Sequence, residues 1–490
     1  MDAPEVAATY AKVDRRIIPF LFLCYILAYL DRVNIGFAKL QMAQDLALGD
    51  AAFALGAGIF FLGYFCFEVP SNLLLRRFGA RRWIARIMIS WGLVSTATLF
   101  VTNEAEFYAM RFILGLTEAG FFPGVIYYLT QWYPSERRAT RLSWFVSAVA
   151  LAGVIGNPLS GLIMDLCSGV GGLAGWQWLF LLEGLPSIAV GIWVLFYLDS
   201  SIEEARWLSP AERALLAARI AAEEQDKPET RLIDAFKCGK VYALCAVYFT
   251  LTLGLYGIAF WLPTTIRALG VSGYLQIGLV SALPYGVAVA GMLLICRHSD
   301  RTGERRWHYA FTMGLGALGL VLSGLCADQP VLAILFLSLG TLGTIGAMPL
   351  FWPIPAAFLG GTAAAAGIGI INSIGNLGGY VGPNLPIWAR RFSDSPQVAL
   401  DLIALALLAG VALLLAIPTT SRRGKRGGSG ASPRPGAGGS PRNVTAGAES
   451  HRCSICCEPT AMSGPSPGFA PAWPWPPSFR RWRSAGTSTT

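Results

Sequence analysis

Apolar runs long enough to cross a bilayer recur twelve times along the chain, at roughly 17–38, 53–75, 83–102, 106–129, 142–164, 177–198, 241–266, 274–296, 308–326, 330–352, 363–388 and 398–418. A helix needs about 20 apolar residues to span the hydrocarbon core. The pattern therefore predicts an all-α membrane protein of twelve transmembrane helices. Gly and Pro interrupt several runs, which a helix bundle tolerates when neighbours re-satisfy the backbone. The longest polar stretch, Asp199 to Lys240, divides the runs six plus six. In it Ser209-Pro210-Ala211-Glu212 starts a helix, with an N-cap, Pro at the first position and an early acid. ERALLAARIAAEE then reads as an amphipathic connector. The expected organisation is a polar N-terminus (1–16), one six-helix half (17–198), a connecting loop (199–240), a second half (241–418) and a tail (419–490).

The charges orient this arrangement. With the N-terminus inside, the inside segments carry about 21 Lys and Arg, and the outside loops carry four: Lys39, Arg267, Arg390 and Arg391. That asymmetry is the positive-inside signal and predicts that both termini are cytoplasmic. Only 14% of the residues are charged, against about 25% in soluble domains. The net charge of +9 does not indicate nucleic acid, because residues 421–490 hold ten Lys/Arg and two acids. That Gly-, Pro-, Ser- and Arg-rich tail has no periodicity and predicts disorder. It reads like out-of-frame translation of a GC-rich gene. The ten cysteines form no framework, and there is no cofactor or metal signal. With three histidines, none inside a run, and no nucleophile–base motif, the chain is not expected to be an enzyme. The first apolar run contains Asp31 and Arg32 and no small-residue cleavage site follows it, so it reads as a retained span.

Polar residues inside the runs are the candidate chemistry. Phe107 to Tyr128 carries Arg111 and Glu118, and each charge costs about 2.5–3.5 kcal/mol at a bilayer centre. Arg111, Gly115 and Glu118 share one helical face. At 1.5 Å per residue the two charges lie about 10 Å apart along the axis, far for an intimate pair but suited to lining one cavity. An ion pair that only locks helices together is the alternative. In the first run Tyr25, Tyr29 and Arg32 share a face, with Asp31 beside it; a guanidinium fork suits a carboxylate. The alternative there is mutual neutralisation of Asp31 and Arg32. Tyr64 and Glu68 share a face of the second run. Asn372 and Asn376, among glycines of the eleventh, fit either substrate hydroxyls or interhelical hydrogen bonds. Trp352, Tyr256 and Trp261 are candidates for an aromatic wall. An internal repeat, R-x-G-x-R-R-W, follows the second run (Arg77–Trp83) and the eighth (Arg301–Trp307), offset by 224 residues. Parallel six-helix halves are what a secondary transporter with a central site needs.

These residues resemble the major facilitator superfamily, specifically its anion:cation symporter family of organic-anion permeases. The resemblance covers about residues 10–420 and rests on YLDRVNIGFA (Tyr29–Ala38), EVPSNLLLRRFGARRW (Glu68–Trp83), RFILGLTEAGFFPG (Arg111–Gly124), GWQWLFLLEGLP (Gly175–Pro186), ARWLSPAER (Ala205–Arg213) and SDRTGERRWH (Ser299–His308). It implies import of a small organic carboxylate (tartrate-like, sugar-acid or aromatic) with protons, by alternating access. Arg32 and Arg111 would bind the anion, helped by Tyr29, Tyr64, Asn372, Asn376 and Trp352. Asp31 and Glu118 would carry protons. Arg77, Gly79, Arg81, Asp300, Arg301 and Gly303 would form gating loops, although Arg76 and Asn72 stand where the family's first loop motif has an acid and a Gly. A monomer in a bacterial inner membrane, in contact with lipid and not nucleic acid, is the family expectation. A proton-antiport exporter and a non-transporting sensor on the same scaffold are the alternative functions.

Overall fold

The computed structural model describes residues 4–225, 239–358, 361–393 and 395–418. The tail, and the middle of the connecting loop, lie outside the described residues. The first half contains α1 (Pro4–Val33), α2 (Ile35–Asp45), α3 (Asp50–Phe78), α4 (Ala80–Ala97), α5 (Glu104–Glu118), α6 (Phe121–Trp132), α7 (Ser135–Cys167) and α8 (Gly175–Tyr197). Helix α9 (Pro210–Gln225) belongs to the connector. The second half contains α10 (Gly239–Ala268), α11 (Tyr274–Thr302), α12 (Arg306–Leu325), α13 (Pro330–Phe351), α14 (Pro353–Phe358), α15 (Gly361–Asn376), α16 (Gly378–Ala389) and α17 (Pro396–Ala416). No strand occurs among the described residues.

Eleven stretches among the described residues are long and apolar enough to cross a membrane. The run at 363–388 is built from two shorter helices, α15 and α16, that meet at Leu377. The run at 106–129 is also divided, into α5 and α6. Gly120 causes the division, with φ +88°. A methyl group added there would lie 2.1 Å from Ser71 Oγ of α3. The break ends α5 at Glu118 and leaves Arg111, Gly115 and Glu118 on one helix.

Charge is inside and apolar surface outside, the reverse of a soluble protein. Asp31, Arg111, Glu118 and Glu68 are each 1% exposed or less, while Leu73, Phe196 and Val331 are at least 64% exposed. Lipid accepts the second set and not the first. Close backbone approach positions the interior. Methyl groups added at Gly115 and Gly63 would lie 2.0 Å from Phe60 O and 2.2 Å from Phe112 O. Small residues thus let α3 and α5 pack backbone to backbone, which brings Phe60 and Tyr64 beside Arg111 and Glu118. The two halves meet along α7 against α11, and α3 against α16. In the first contact Gly161 lies on the Tyr274 carbonyl and Gly278 on the Asn157 carbonyl. In the second, Asn384 Nδ2 donates to Ala54 O at 3.1 Å.

The connector helix starts as its sequence predicts. Glu212 N donates to Ser209 Oγ at 3.2 Å and Ser209 N donates to Glu212 Oε2 at 2.8 Å, a reciprocal capping box. Lys12 ties Glu212 to α1 at 2.8 Å. The repeated loop motif has a shared backbone reason. Gly79 ends α3 with φ +83° and Gly303 ends α11 with φ +68°. Both glycines close a helix where side chains with a Cβ are disfavoured.

Candidate substrate-binding site

Three helices deliver the central charges. Arg32, at the end of α1, donates through Nη2 to Glu118 Oε1 of α5 and through Nη1 to Tyr256 Oη of α10 at 2.6 Å. Arg32 and Tyr256 are themselves 224 residues apart, the offset of the loop repeat. Two equivalent positions of the halves touch, which puts this contact near the axis relating them. Arg32 and Arg111 flank one ring: their guanidinium carbons lie 5.3 and 5.1 Å from the Phe60 centroid. Tyr64, one turn along α3, is 5.4 Å from Arg32.

The two arginines differ in how they are satisfied. Arg32 has a carboxylate and a phenol. Arg111 is 1% exposed, yet its Nε, Nη1 and Nη2 have no hydrogen-bond partner among the described residues. Glu118, on the same helix, pairs with Arg32, 86 residues away, in keeping with the 10 Å axial offset between Glu118 and Arg111. A buried guanidinium with five unused N–H groups in a fixed fork has the donor geometry that matches a carboxylate.

Asp31 does not neutralise Arg32. Consecutive residues on a helix point about 100° apart, and Asp31 faces away from the arginines. It accepts from Trp91 Nε1 (3.0 Å) and Ser95 Oγ (2.7 Å) of α4 and Ser187 Oγ (2.5 Å) of α8.

The other candidates distribute as follows. Tyr29 is buried beside Tyr285 of α11. Trp352, at the end of α13, is 1% exposed and packs on Tyr248 and Phe122 with centroids 4.9 and 5.1 Å away. Its Nε1 has no partner among the described residues. Tyr256 packs on Phe61 at 4.5 Å. Trp261 belongs elsewhere: it donates to Pro383 O at 2.9 Å and lies under Lys39, so the three aromatics do not form one wall. Asn372 Nδ2 and Ser373 Oγ donate to Glu68 at 2.5 and 2.6 Å, which engages Asn372 in a bond between the halves. Asn376 is buried one turn further on. In the loops, Arg81 lies 3.9 Å from Glu204 of the connector, and Asp300 pairs with Arg305 at 2.7 Å. Arg77 lies over Phe78, and Arg301 is exposed. Glu304, between α11 and α12, is 38% exposed along its side chain. Its partial burial is outweighed by bonds from Trp307 N–H and His308, which hold its carboxyl below the ordinary range.

A cluster that hydropathy and motifs did not single out closes the end opposite the N-terminus. Asp50 of α3 accepts Lys39 of α2 at 2.8 Å and Arg390, beyond α16, at 2.9 Å. Lys39 Nζ sits 3.7 Å over Trp261, and Arg267 donates to Leu40 O at 2.8 Å. These contacts join the halves. The sequence signal was present, since Lys39, Arg267 and Arg390 are three of the four basic residues that the charge asymmetry assigns to outside loops. Asp50→Ala removes both carboxylate contacts and strands the buried Lys39 cation. In a variant with Leu262→Cys as its sole cysteine, Asp50→Ala is expected to speed thiol labelling from that end several-fold. An unchanged rate rejects the latch.

Comparison with known proteins agrees with this architecture. The Major Facilitator Superfamily sequence pattern matches residues 21–383. A putative metabolite transport protein, NicT, of Pseudomonas putida is 46% identical, over 84% of this chain and 94% of its own length. A putative tartrate transporter of Agrobacterium vitis is 45% identical, over 84% and 94%. Among solved structures, the partially occluded, inward-open xylose transporter XylE from E. coli has a TM-score of 0.64 at 13% identity, over 83% of this chain and 98% of XylE; at that identity the likeness concerns the fold alone. The twelve-run pattern, the repeated loop and these matches together place the chain in the Major Facilitator Superfamily, as an integral membrane transporter of small organic molecules.

Proposed function

We propose that this transporter imports a small organic carboxylate together with protons, in a bacterial inner membrane, with both termini in the cytoplasm. The observation that carries this reading is Arg111, a buried guanidinium with no hydrogen bond among the described residues. Its neighbour Arg32 is held by Glu118. When Glu118 takes a proton, its hold on Arg32 weakens and the second guanidinium is released. Both forks then grip the anion around Phe60, with Tyr64, Tyr29, Trp352 and Asn376 shaping the cavity. Asn372 acts through Glu68. Protonation and anion binding thus favour one another, as symport requires. Asp31 takes part as an acid on the far side of α1. The loops of Arg77, Gly79 and Arg81, and of Asp300, Arg301 and Gly303, gate the cytoplasmic end. The name of the tartrate relative supports a tartrate-like acid.

Uptake into proteoliposomes of a carboxylate panel, with and without an inward proton gradient, tests this. Tartrate, a sugar acid and an aromatic acid make up the panel. Gradient-driven accumulation of one of them is the expected result. Uptake only against an outward gradient makes the protein an antiporter, and binding without flux makes it a sensor; either overturns symport.

A further inference from the structure

The central arginines are not the only ionisable chamber in the first half. On its opposite side, Glu183 of α8 lies one helical turn before Ser187, the residue that donates to Asp31. Glu183 is 3% exposed. Its Oε1 accepts from Ser160 Oγ of α7 at 2.7 Å, and its Oε2 has no hydrogen-bond partner among the described residues. The Asn34 side chain lies beside it, and neither Asn34 amide atom is hydrogen-bonded among the described residues. The charged group that faces Glu183 is Asp31 of α1; α4 presents Trp91 and Ser95, and α7 presents Ser160. No basic side chain is paired with either acid among the described residues.

The two acids are supported differently. Asp31 receives three donors, an environment that suits a carboxylate. Glu183 receives one donor, from Ser160, and beside it lies the Asn34 amide, whose Nδ2 and Oδ1 are both unmet among the described residues. The Asn34 amide can serve either form, accepting from an O–H on Oε2 or donating from Nδ2 to an ionised one; what favours the neutral acid is burial without a basic partner, beside the Asp31 carboxylate. An ionised Glu183 would face Asp31, charge against charge, with only the Ser160 hydroxyl and the Asn34 amide to support it and no basic partner.

We infer that Glu183 is a further proton carrier of the transport cycle, beside Glu118 and Asp31. This rests on the proton-symport reading above. In the state described here Glu183 holds a proton on Oε2. When the chamber opens to water, the O–H bond breaks, the electron pair stays on the carboxylate, and the proton leaves to solvent. Glu183 and Asp31 are linked through one face of α8, and Asp31 adjoins Arg32 in sequence, so the loss of this proton is felt at the anion site.

The test uses the full-length protein in proteoliposomes, with tartrate, a sugar acid and an aromatic acid as probe anions, and Glu183→Gln beside wild type. The reversal potential gives the proton-to-anion ratio, and it is expected to fall by one in Glu183→Gln. Anion counterflow, which moves no net proton, stays within about twofold of wild type and shows that the variant is folded. In infrared difference spectra, the carboxylic C=O band present in wild type is lost in Glu183→Gln. An unchanged ratio with wild-type coupling intact overturns the inference alone. So does an infrared difference that shows only carboxylate, whereas accumulation that follows sodium overturns the proton-symport reading and the inference with it. A wild type that accumulates none of the probes under a proton gradient overturns the symport reading and the inference with it. If Glu183→Gln lacks counterflow, the infrared band decides the protonation state and Glu183→Asp takes over the ratio measurement: an unchanged ratio is the expected result, and a ratio lowered by one overturns the assignment of a carboxyl requirement.

Discussion

Arg111→Met raises the thermal midpoint of the ligand-free protein and abolishes uptake. The opposite signs follow from one observation: Arg111 is buried with no hydrogen bond among the described residues. Its surroundings combine attraction from Glu118 with repulsion from Arg32. Replacing a buried charge by an apolar side chain of similar volume is often neutral or stabilising, by about 1–4 kcal/mol. Methionine fills the space beside Phe60 and relieves Arg32 of a like charge. The anion, by contrast, loses a charge-assisted fork. Each such bond is worth about 1.5–3 kcal/mol, so two amount to roughly 10²–10⁴-fold in transport efficiency at about 1.4 kcal/mol per decade. Arg111→Lys keeps the charge without the planar fork and falls between. The check is a melting curve with and without tartrate, beside uptake by the same preparation. A midpoint that falls in Arg111→Met means the guanidinium has a structural role, and retained uptake means the anion is held elsewhere.

Much of this arrangement could be read from the chain. Twelve apolar runs with basic loops on one side give the bundle, and the loop repeat gives the two halves. The cost of Arg111 and Glu118 in an apolar run marks the site. What could not be read is which side chains meet. Glu118 chooses Arg32 over Arg111 because the pairing depends on how α1 and α5 rotate against each other, and helical spacing within one run says nothing of that. Asp31 and Arg32 are neighbours in sequence, yet they serve different chambers. Gly120 appears in an apolar run as a small residue; its positive φ, and the Ser71 side chain of α3 standing where a Cβ would go, are features of the packed bundle. Asn372 was legible as a polar residue among glycines, but its partner Glu68 lies 304 residues away. Lys39 and Arg390 were counted for topology, and nothing in the local pattern joined them to Asp50. Glu183 stood inside a motif whose apolar neighbours hid it.

Glu118→Gln uncouples the anion from the proton without removing the anion site. Glutamine keeps the shape of Glu118 and an oxygen to accept from Arg32, and it lacks the charge that holds the guanidinium. It therefore imitates the protonated state permanently. In wild type, anion affinity should fall as pH rises, because the deprotonated Glu118 competes with the anion for Arg32. In Glu118→Gln the affinity should stay at its low-pH value across the range. The gap between them at high pH measures the coupling, typically about 5–150-fold. Counterflow of labelled anion should survive, while accumulation against a gradient should disappear, since release of the anion from Arg32 is then no longer tied to loss of a proton from Glu118. Stability gives an independent sign. The variant leaves two buried guanidinium groups without a carboxylate between them, and breaking a buried pair costs about 3–5 kcal/mol. Its ligand-free midpoint should drop, opposite to Arg111→Met, and added anion should restore it. Affinity that still falls with pH in Glu118→Gln would assign the coupling proton to another carboxyl, and accumulation that survives would remove Glu118 from the proton path.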